Sequence, residues 1–349
     1  MRIGLVGCGY WGAKHLRVLH ELGYGPGLVV SDSDEARLRE VARTYPSVIA
    51  AADYAQLLEM TDAIIVATPP ASHYTLAREA LLAGRHVLVE KPFTVHSWEA
   101  RELVDLARER QCILMVGHTF LYSAQVRALR LLLQEGRIGR VLHLDSQRLG
   151  FGFLQSDIHV FWDLAPHDIS IFLYLTGQQP EKVAARAVHH LNDRNLWEVG
   201  HAHLWFPEGV SAHIHVSWLY PYKVRQVTVV GSTGTAIYDD MSAEPLRVCE
   251  REICFLSQNG KEEWRPPTYR WGDVYLPHVP QREPLLEEDA EFLHCVLTGA
   301  PPLSDGELGL SVVRILEALD TSLALDSQAV PLVPSPESLT PSTGEHGRT

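Results

Sequence analysis

The sequence predicts an α/β fold, with a doubly wound parallel sheet in the first third of the chain. A C-terminal α+β region built on a mainly antiparallel sheet follows it. Three observations predict this. From Met1 to about Gly117, short continuously apolar runs alternate with helical segments, as in sheets covered on both faces. Beyond that point apolar and polar residues alternate, most clearly in Val210-Ser211-Ala212-His213-Ile214-His215-Val216-Ser217-Trp218, the period of a half-covered sheet. The first apolar run also leads directly into glycines spaced G-x-G-x-x-G.

Ile3, Leu5 and Val6 read as a buried strand, Gly7, Gly9 and Gly12 as a turn, and Ala13 to Leu22 as a helix. The first glycine permits the tight turn, and the second lets backbone approach a pyrophosphate. The third lets the helix lie against the strand, its positive end facing the phosphates. Tyr10 and Trp11 lie within this turn and count among the cofactor contacts. Gly27 to Ser31 is the next strand, and Asp32 follows about 20 residues after the last glycine, where a ribose-binding acid belongs. A carboxylate there accepts hydrogen bonds from ribose hydroxyls and repels a 2′-phosphate, and Ser33 rather than an arginine follows it. The stretch therefore predicts a dinucleotide site that favours NAD over NADP. One of Asp32, Ser33 and Asp34 is expected to cap the helix starting near Glu35.

That helix runs to Tyr45 and stops at Pro46; a short strand at 48–50 and a helix from Tyr54 to Glu59 follow. The strand from Asp62 to Thr68 ends at Pro69-Pro70. Ala71 to Ala83 is helical and stops at Gly84. His86 to Glu90 is a strand ending at Lys91-Pro92, Ser97 to Arg110 an amphipathic helix, and Cys112 to Val116 a last strand. Ligands lie beyond the carboxyl ends of such strands. Thr68, Pro69, His73 and Glu90 are accordingly cofactor candidates, and Lys91 points toward the nicotinamide end. The alternative is a solvated Lys91 paired to Glu90.

A helix from Ala124 to Glu135 opens the second region, and strands are expected at 141–147, 182–189, 201–206, 210–219 and 224–230. Helices return at 286–297 and 308–325. From about Pro331 the chain is rich in proline, serine and threonine, and a loose tail is expected. The domains are thus 1–120, 121–330 and the tail 331–349. A helical insert spans Asp163 to Leu175. Pro166 fits only the first turn of a helix, which makes Asp163 the N-cap and puts His167 one turn later on the same side. An imidazole so placed is the usual base for a hydroxyl proton. His118 and Tyr122, beyond the last parallel strand, are candidate substrate contacts. Arg148 and Arg225, with Lys223, are candidates for a substrate diphosphate.

The chain has 349 residues, 46% hydrophobic and 21% charged, with a formal net charge of −13 that argues against a nucleic-acid surface. No apolar run reaches transmembrane length, and strand one begins too early for a signal peptide. The five scattered cysteines read as free thiols in a reducing cytoplasm. His201/His203 and His213/His215 each share one strand face. Metal ligation would need the pairs to converge, so a polar face or oligomer contact is expected, and no metal.

Gly7-Cys8-Gly9-Tyr10-Trp11-Gly12, Ala67-Thr68-Pro69-Pro70 with His73, Glu90-Lys91-Pro92, Gly136-Arg137-Ile138-Gly139 and Asp163-x-x-x-His167, in this order, resemble the Gfo/Idh/MocA oxidoreductases. The resemblance covers nearly the whole chain. It implies an N-terminal Rossmann domain and a C-terminal domain with a large open sheet, one face of which is commonly buried in a dimer or tetramer. It also implies a nicotinamide-dependent reaction at a secondary alcohol of a sugar, sugar nucleotide or cyclitol. Lys91, Asp163 and His167 would be the catalytic trio, with His167 accepting the proton, Asp163 beside the substrate, and Lys91 between substrate and nicotinamide. The family often has an acid three residues after its histidine, where this chain has Ser170. Trp162 to Asp168 looks most like the sugar-nucleotide 3-dehydrogenase branch. A UDP-N-acetylhexosamine is therefore the leading substrate, with a free sugar, inositol or aminocyclitol as alternatives. An NAD-retaining glycosidase and a non-catalytic cofactor sensor are the readings from other classes.

Overall fold

The computed structural model describes residues 1–152, 154–155, 157–191, 196–254 and 267–332. Among these, β1 (Ile3–Val6), β2 (Leu28–Ser31), β3 (Ile49–Ala50), β4 (Ala63–Val66), β5 (His86–Glu90) and β6 (Leu114–Gly117) form one parallel sheet. Its order is β3-β2-β1-β4-β5-β6. β1 and β4 are buried at every position, which is why they read as unbroken apolar runs. Helices α1 (Tyr10–Glu21), α2 (Glu35–Thr44), α3 (Tyr54–Met60), α4 (His73–Leu82) and α5 (Ser97–Glu109) connect the strands. The strand order reverses between β1 and β4, so the crevice opens at their carboxyl ends. α1 starts three residues earlier than expected, because the glycine turn is tighter than its spacing alone suggests.

After α6 (Ala124–Gln134) the chain builds the second sheet from β7 (Val141–Phe151), β8 (Lys182–Val188), β9 (Val199–Trp205), β10 (Ser211–Ser217), β11 (Leu219–Gly231), β12 (Gly234–Asp239), β13 (Leu246–Cys254), β14 (Thr268–Tyr275) and β15 (Val330–Pro331). The order is β14-β13-β12-β11-β7-β10-β9-β8-β15; all pairs are antiparallel except β7 with β10. One face is apolar and buried through Leu144, Ala202, Leu204, Ala212, Ile214 and Val229. α7 (Val160–Thr176) and α9 (Gly306–Ala324) pack against this sheet, and α8 (Pro284–Thr298) packs on α1.

α9 belongs to both halves. Ser322 Oγ accepts from Ala185 N of β8 at 2.9 Å. At the other end Ser304 O accepts from Val116 N of β6 at 2.8 Å, and Arg101 of α5 pairs with Glu307 at 2.9 Å.

Two expectations are corrected here. α7 begins at Val160 with His159 as its N-cap, so Asp163 lies in the first turn and Pro166 inside the helix. The apolar Val160, Phe161 and Trp162 are buried and draw the helix back by one turn. The tail starts later than Pro331, since Val330 and Pro331 pair with β8 and Leu332 N donates to Glu181 O at 2.8 Å. The rest of the expected tail, 333–349, lies outside the described residues. Strands β12, β13 and β14 were not anticipated.

Candidate active site

The crevice is built by close backbone approach. Gly7 has φ +89°, and a Cβ there would lie 2.5 Å from the Ala67 carbonyl oxygen. A Cβ on Gly12 would lie 1.8 Å from the Gly7 oxygen, so only glycine lets α1 start here. Gly9 caps α1 with no side-chain bond, which leaves the first-turn N–H groups for an anion. Asp32 is fixed at the rim: Oδ2 accepts from Cys8 N at 2.6 Å and Oδ1 from Asp34 N at 2.8 Å. Asp34, not Asp32, caps α2 by accepting from Ala36 N at 2.9 Å. Arg37 Nη1 lies 3.7 Å from Asp32 Oδ2, a neighbour the sequence did not suggest. A cavity of about 750 Å³ runs from Asp32 past Gly7, Gly9, Tyr10, Trp11, Thr68, Pro69 and Glu90 to Lys91 and Asp163. Its size, its glycine cradle and the fixed carboxylate at one end fit a dinucleotide.

His73 does not face this cavity. It is wholly buried, with its ring nitrogens 2.8 Å from Thr68 O and 2.8 Å from Pro92 O. It therefore fastens two cavity loops to each other. Burial pulls its pKa below the ordinary value against the opposing pull of those carbonyls.

At the far end Lys91 Nζ donates to the Asp163 carbonyl at 2.8 Å and to its carboxylate at 3.1 Å. Pro166 has no N–H to offer the Trp162 carbonyl, so the helix ladder is interrupted next to the carbonyl that Lys91 takes up. Trp218 Nε1 donates to the other carboxylate oxygen at 3.0 Å. Lys91 is thus neither solvated nor paired to Glu90, which instead bonds the His15 ring.

His167 is 7% exposed, and its Nδ1 is buried without a partner. Its ring meets Phe120 edge to face at 4.8 Å. Burial, then Arg148, Lys91, His118 and Arg225, push its pKa well below the ordinary value. A neutral imidazole beside a lysine–aspartate pair is equipped to accept a hydroxyl proton.

The substrate candidates fare differently. Arg148 is buried and doubly bonded to Asp168, at 2.9 and 3.0 Å, so its guanidinium is committed to that carboxylate rather than open to a diphosphate. Arg225 pairs with Asp240 at 3.0 Å but stays partly exposed, and its guanidinium lies 5.3 Å from the Phe120 ring. Tyr122 points away: it is buried, and its hydroxyl meets Ser304 Oγ at 2.9 Å. His118 is buried with both ring nitrogens unpartnered, and burial pushes it down to about 4. Phe120, which touches His167 and lies under Arg148 and Arg225, was missed, because an apolar residue in a short 3-10 turn carries no sequence signal. On the open face of the second sheet, the His201 ring stacks on His215 at 4.2 Å and on His213 at 5.6 Å. Among the described residues no group of three His, Cys, Asp or Glu side chains is arranged to hold a metal ion, and no helix is long and apolar enough to cross a membrane.

Comparison with known proteins bears on this geometry. Residues 1–118 match "Oxidoreductase family, NAD-binding Rossmann fold" and residues 126–237 match "GFO/IDH/MocA C-terminal domain". The chain is 27% identical over 343 residues to UDP-N-acetylglucosamine 3-dehydrogenase of Acidithiobacillus ferrooxidans, covering 94% of this chain and 98% of that one. A crystal form of that enzyme superposes with a TM-score of 0.77 at 26% identity, over 94% and 99% of the two chains. The WlbA dehydrogenase of Bordetella pertussis, solved with NADH and UDP-GlcNAcA, shares the fold at a TM-score of 0.77 and 21% identity, over 96% and 98% of the chains. The resemblance in the motifs therefore extends through both domains in order, and the protein belongs to the GFO/IDH/MocA family of NAD-dependent oxidoreductases.

Proposed function

We propose that the protein oxidises, or in reverse forms, a secondary alcohol on a sugar nucleotide such as a UDP-N-acetylhexosamine. The observation that carries this reading is the Lys91–Asp163 pair at the nicotinamide end of the crevice, with the neutral His167 one turn along α7. NAD, when bound, supplies the hydride acceptor. His167 takes the hydroxyl proton, and the ammonium of Lys91 stabilises the developing alkoxide. Asp163 holds Lys91 in place and is itself held by Trp218. The glycine turn and the Asp32 carboxylate would hold the cofactor and so restrict the poses in which a substrate could meet it.

The nucleotide part of the proposal is supported by a cationic rim on a chain of net charge −13. Lys14 lies over the rings of Tyr10 and Trp11 at 4.1 and 4.3 Å. Lys14, with Lys223 and Arg225, pulls the Tyr10 phenol below its ordinary pKa. Such a rim suits a diphosphate and would be idle with a free cyclitol. The substrate named for the Acidithiobacillus relative points the same way. A homodimer or homotetramer through the open face of the second sheet, and a cytoplasmic location, complete the reading.

The test is NADH absorbance while NAD is offered with UDP-sugars, free sugars and inositols, with Lys91→Ala and His167→Ala alongside. A rise with UDP-sugars alone, lost in both variants while NAD still binds, is expected. A rise with inositols alone overturns the nucleotide part. NAD binding without any reduction overturns the dehydrogenase.

A further inference from the structure

Behind Lys91 runs a hydrogen-bonded line of side chains that the hydride step leaves unused. Lys91 stands just past the last ladder pair of β5, Glu90 with Gly117, and its backbone N–H donates to Glu90 Oε2 at 3.0 Å. The other Glu90 oxygen, Oε1, lies 3.1 Å from Nε2 of His15 on α1. Nδ1 of the same ring lies 2.8 Å from Asp289 Oδ1 on α8. His15 and Asp289 are wholly buried, and Glu90 nearly so. On the other side the line continues from Lys91 Nζ to the Asp163 carboxylate at 3.1 Å, which Trp218 Nε1 holds at 3.0 Å. Each of these contacts has the length of an ordinary hydrogen bond.

Both ring nitrogens of His15 face carboxylate oxygens. A neutral ring donates from one nitrogen only, so the ring that satisfies both acids is the imidazolium. Burial opposes that charge, but Asp289 and then Glu90 outweigh it and hold His15 well above the ordinary histidine value. A fully buried ionic line of this kind is weak evidence for stability, which directs attention to what it positions. Glu90 borders the cofactor cavity, where its carboxylate would gain hydration by turning outward. The His15 ring instead keeps that carboxylate folded back on the Lys91 N–H.

We propose that His15 is a positioning residue for Lys91: its Nε2 holds the Glu90 carboxylate on the Lys91 backbone N–H, so that the cofactor helix α1 and the lysine that meets the substrate keep one fixed relation. Asp289 orients the ring from behind through Nδ1. The proposal rests on the role given to Lys91 above. A shift of Lys91 by about 1 Å is enough to matter, since misplacements of that size can cost about 10²-fold in rate.

The test compares two amides at one position. In His15→Gln the amide nitrogen reaches where Nε2 stands and keeps the bond to Glu90; in His15→Asn it reaches only where Nδ1 stands and keeps the bond to Asp289. His15→Asn should lose about tenfold in kcat with the NAD dissociation constant unchanged, while His15→Gln stays within about twofold of wild type. On a Lys91→Met background His15→Asn should cost no further kcat, as expected of residues acting through one another. A second readout needs neither NAD nor substrate: acetylation of Lys91 by acetic anhydride, followed by peptide mass spectrometry with Lys182 of β8 as internal standard. Lys91 should be labelled several-fold faster in His15→Asn than in wild type or His15→Gln. If His15→Asn does not fold, Gly117→Ala, whose methyl would stand 3.1 Å from Glu90 Oε2 and crowd it off the Lys91 N–H, should give the same two changes. Equal kcat losses in His15→Asn and His15→Gln, or wild-type Lys91 labelling in the folded His15→Asn or Gly117→Ala variant, overturn the positioning role and leave the dehydrogenase standing. A wild type that reduces no NAD with any alcohol, while Lys91 labelling still responds to His15→Asn, overturns the dehydrogenase and leaves the coupling of His15 to Lys91.

Discussion

Arg148 donates two hydrogen bonds to Asp168, so the guanidinium that weighs most on His167 is balanced by the residue that follows that histidine. Both partners are almost fully buried. Asp168→Ala strands a buried charge, a loss of about 3–5 kcal/mol. Urea denaturation of the variant and wild type measures it. Burial raises the Asp168 pKa against the pull of Arg148, so the pair should loosen on acidification sooner than one built on an ordinary carboxylate.

Lys91→Met should cut kcat by about 10²–10³ while leaving the NAD dissociation constant nearly unchanged. Lys91 touches Asp163 rather than any glycine of the cofactor cradle. Steady-state kinetics and a nicotinamide fluorescence titration separate the two effects.

An ordinary histidine base would be half protonated near a pH of about 6.5. Burial sets His167 well below that value. The sign follows: the base form persists on acidification, so kcat/KM for alcohol oxidation should still be at its plateau at that pH and fall only at lower pH. A pH–rate profile checks this.

Asp32→Ser should weaken NAD binding about tenfold or more and narrow the preference for NAD over NADP. Removal of the carboxylate frees Arg37, now 3.7 Å from it, to meet a 2′-phosphate. Parallel titrations with NAD and NADP give the ratio.

The histidines on the open sheet face should make the fold acid-sensitive. Burial and mutual repulsion lower His201, His203 and His215, the last to about 4. The unfolded chain takes up these protons at a pH of about 6.5 and the folded chain only at lower pH, so stability falls with pH across that window. Calorimetric melting temperatures between neutrality and the acid end should drop, and His215→Gln should flatten the drop.

The residues legible in the sequence are those whose chemistry depends on short spacing. Gly7, Gly9, Gly12 and Asp32 stand at intervals fixed by one turn and one strand, and Asp163 and His167 are one helical turn apart. What spacing could not show are partners brought together from afar. His15 and Asp289 are 274 positions apart, and Lys91 and Asp163 are 72 apart. The commitment of Arg148 to Asp168 needed the fold, as did the turning away of Tyr122. The start of α7 was misplaced because a proline inside a helix costs about 3 kcal/mol in isolation. The packing of a helix buried along most of its length outweighs that here, and Lys91 uses the neighbouring carbonyl. β14 was invisible because every residue of it is exposed and Gly272 breaks its pattern.

α9, the last described helix of the chain, packs on β6, the last strand of the first sheet, and this bears on how the protein can be taken apart. A fragment cut after residue 120 would lack the helix whose Gly309 packs so tightly that a Cβ on it would lie 2.5 Å from Val116 and 3.0 Å from Phe93. That apolar seam would be bared to water, along with the unpaired backbone N–H of Val116. The nucleotide-binding half is therefore not a detachable cassette. Grafting it onto another substrate domain requires that the new partner bring its own returning helix, and synthesis must reach residue 324 before the first sheet is sealed.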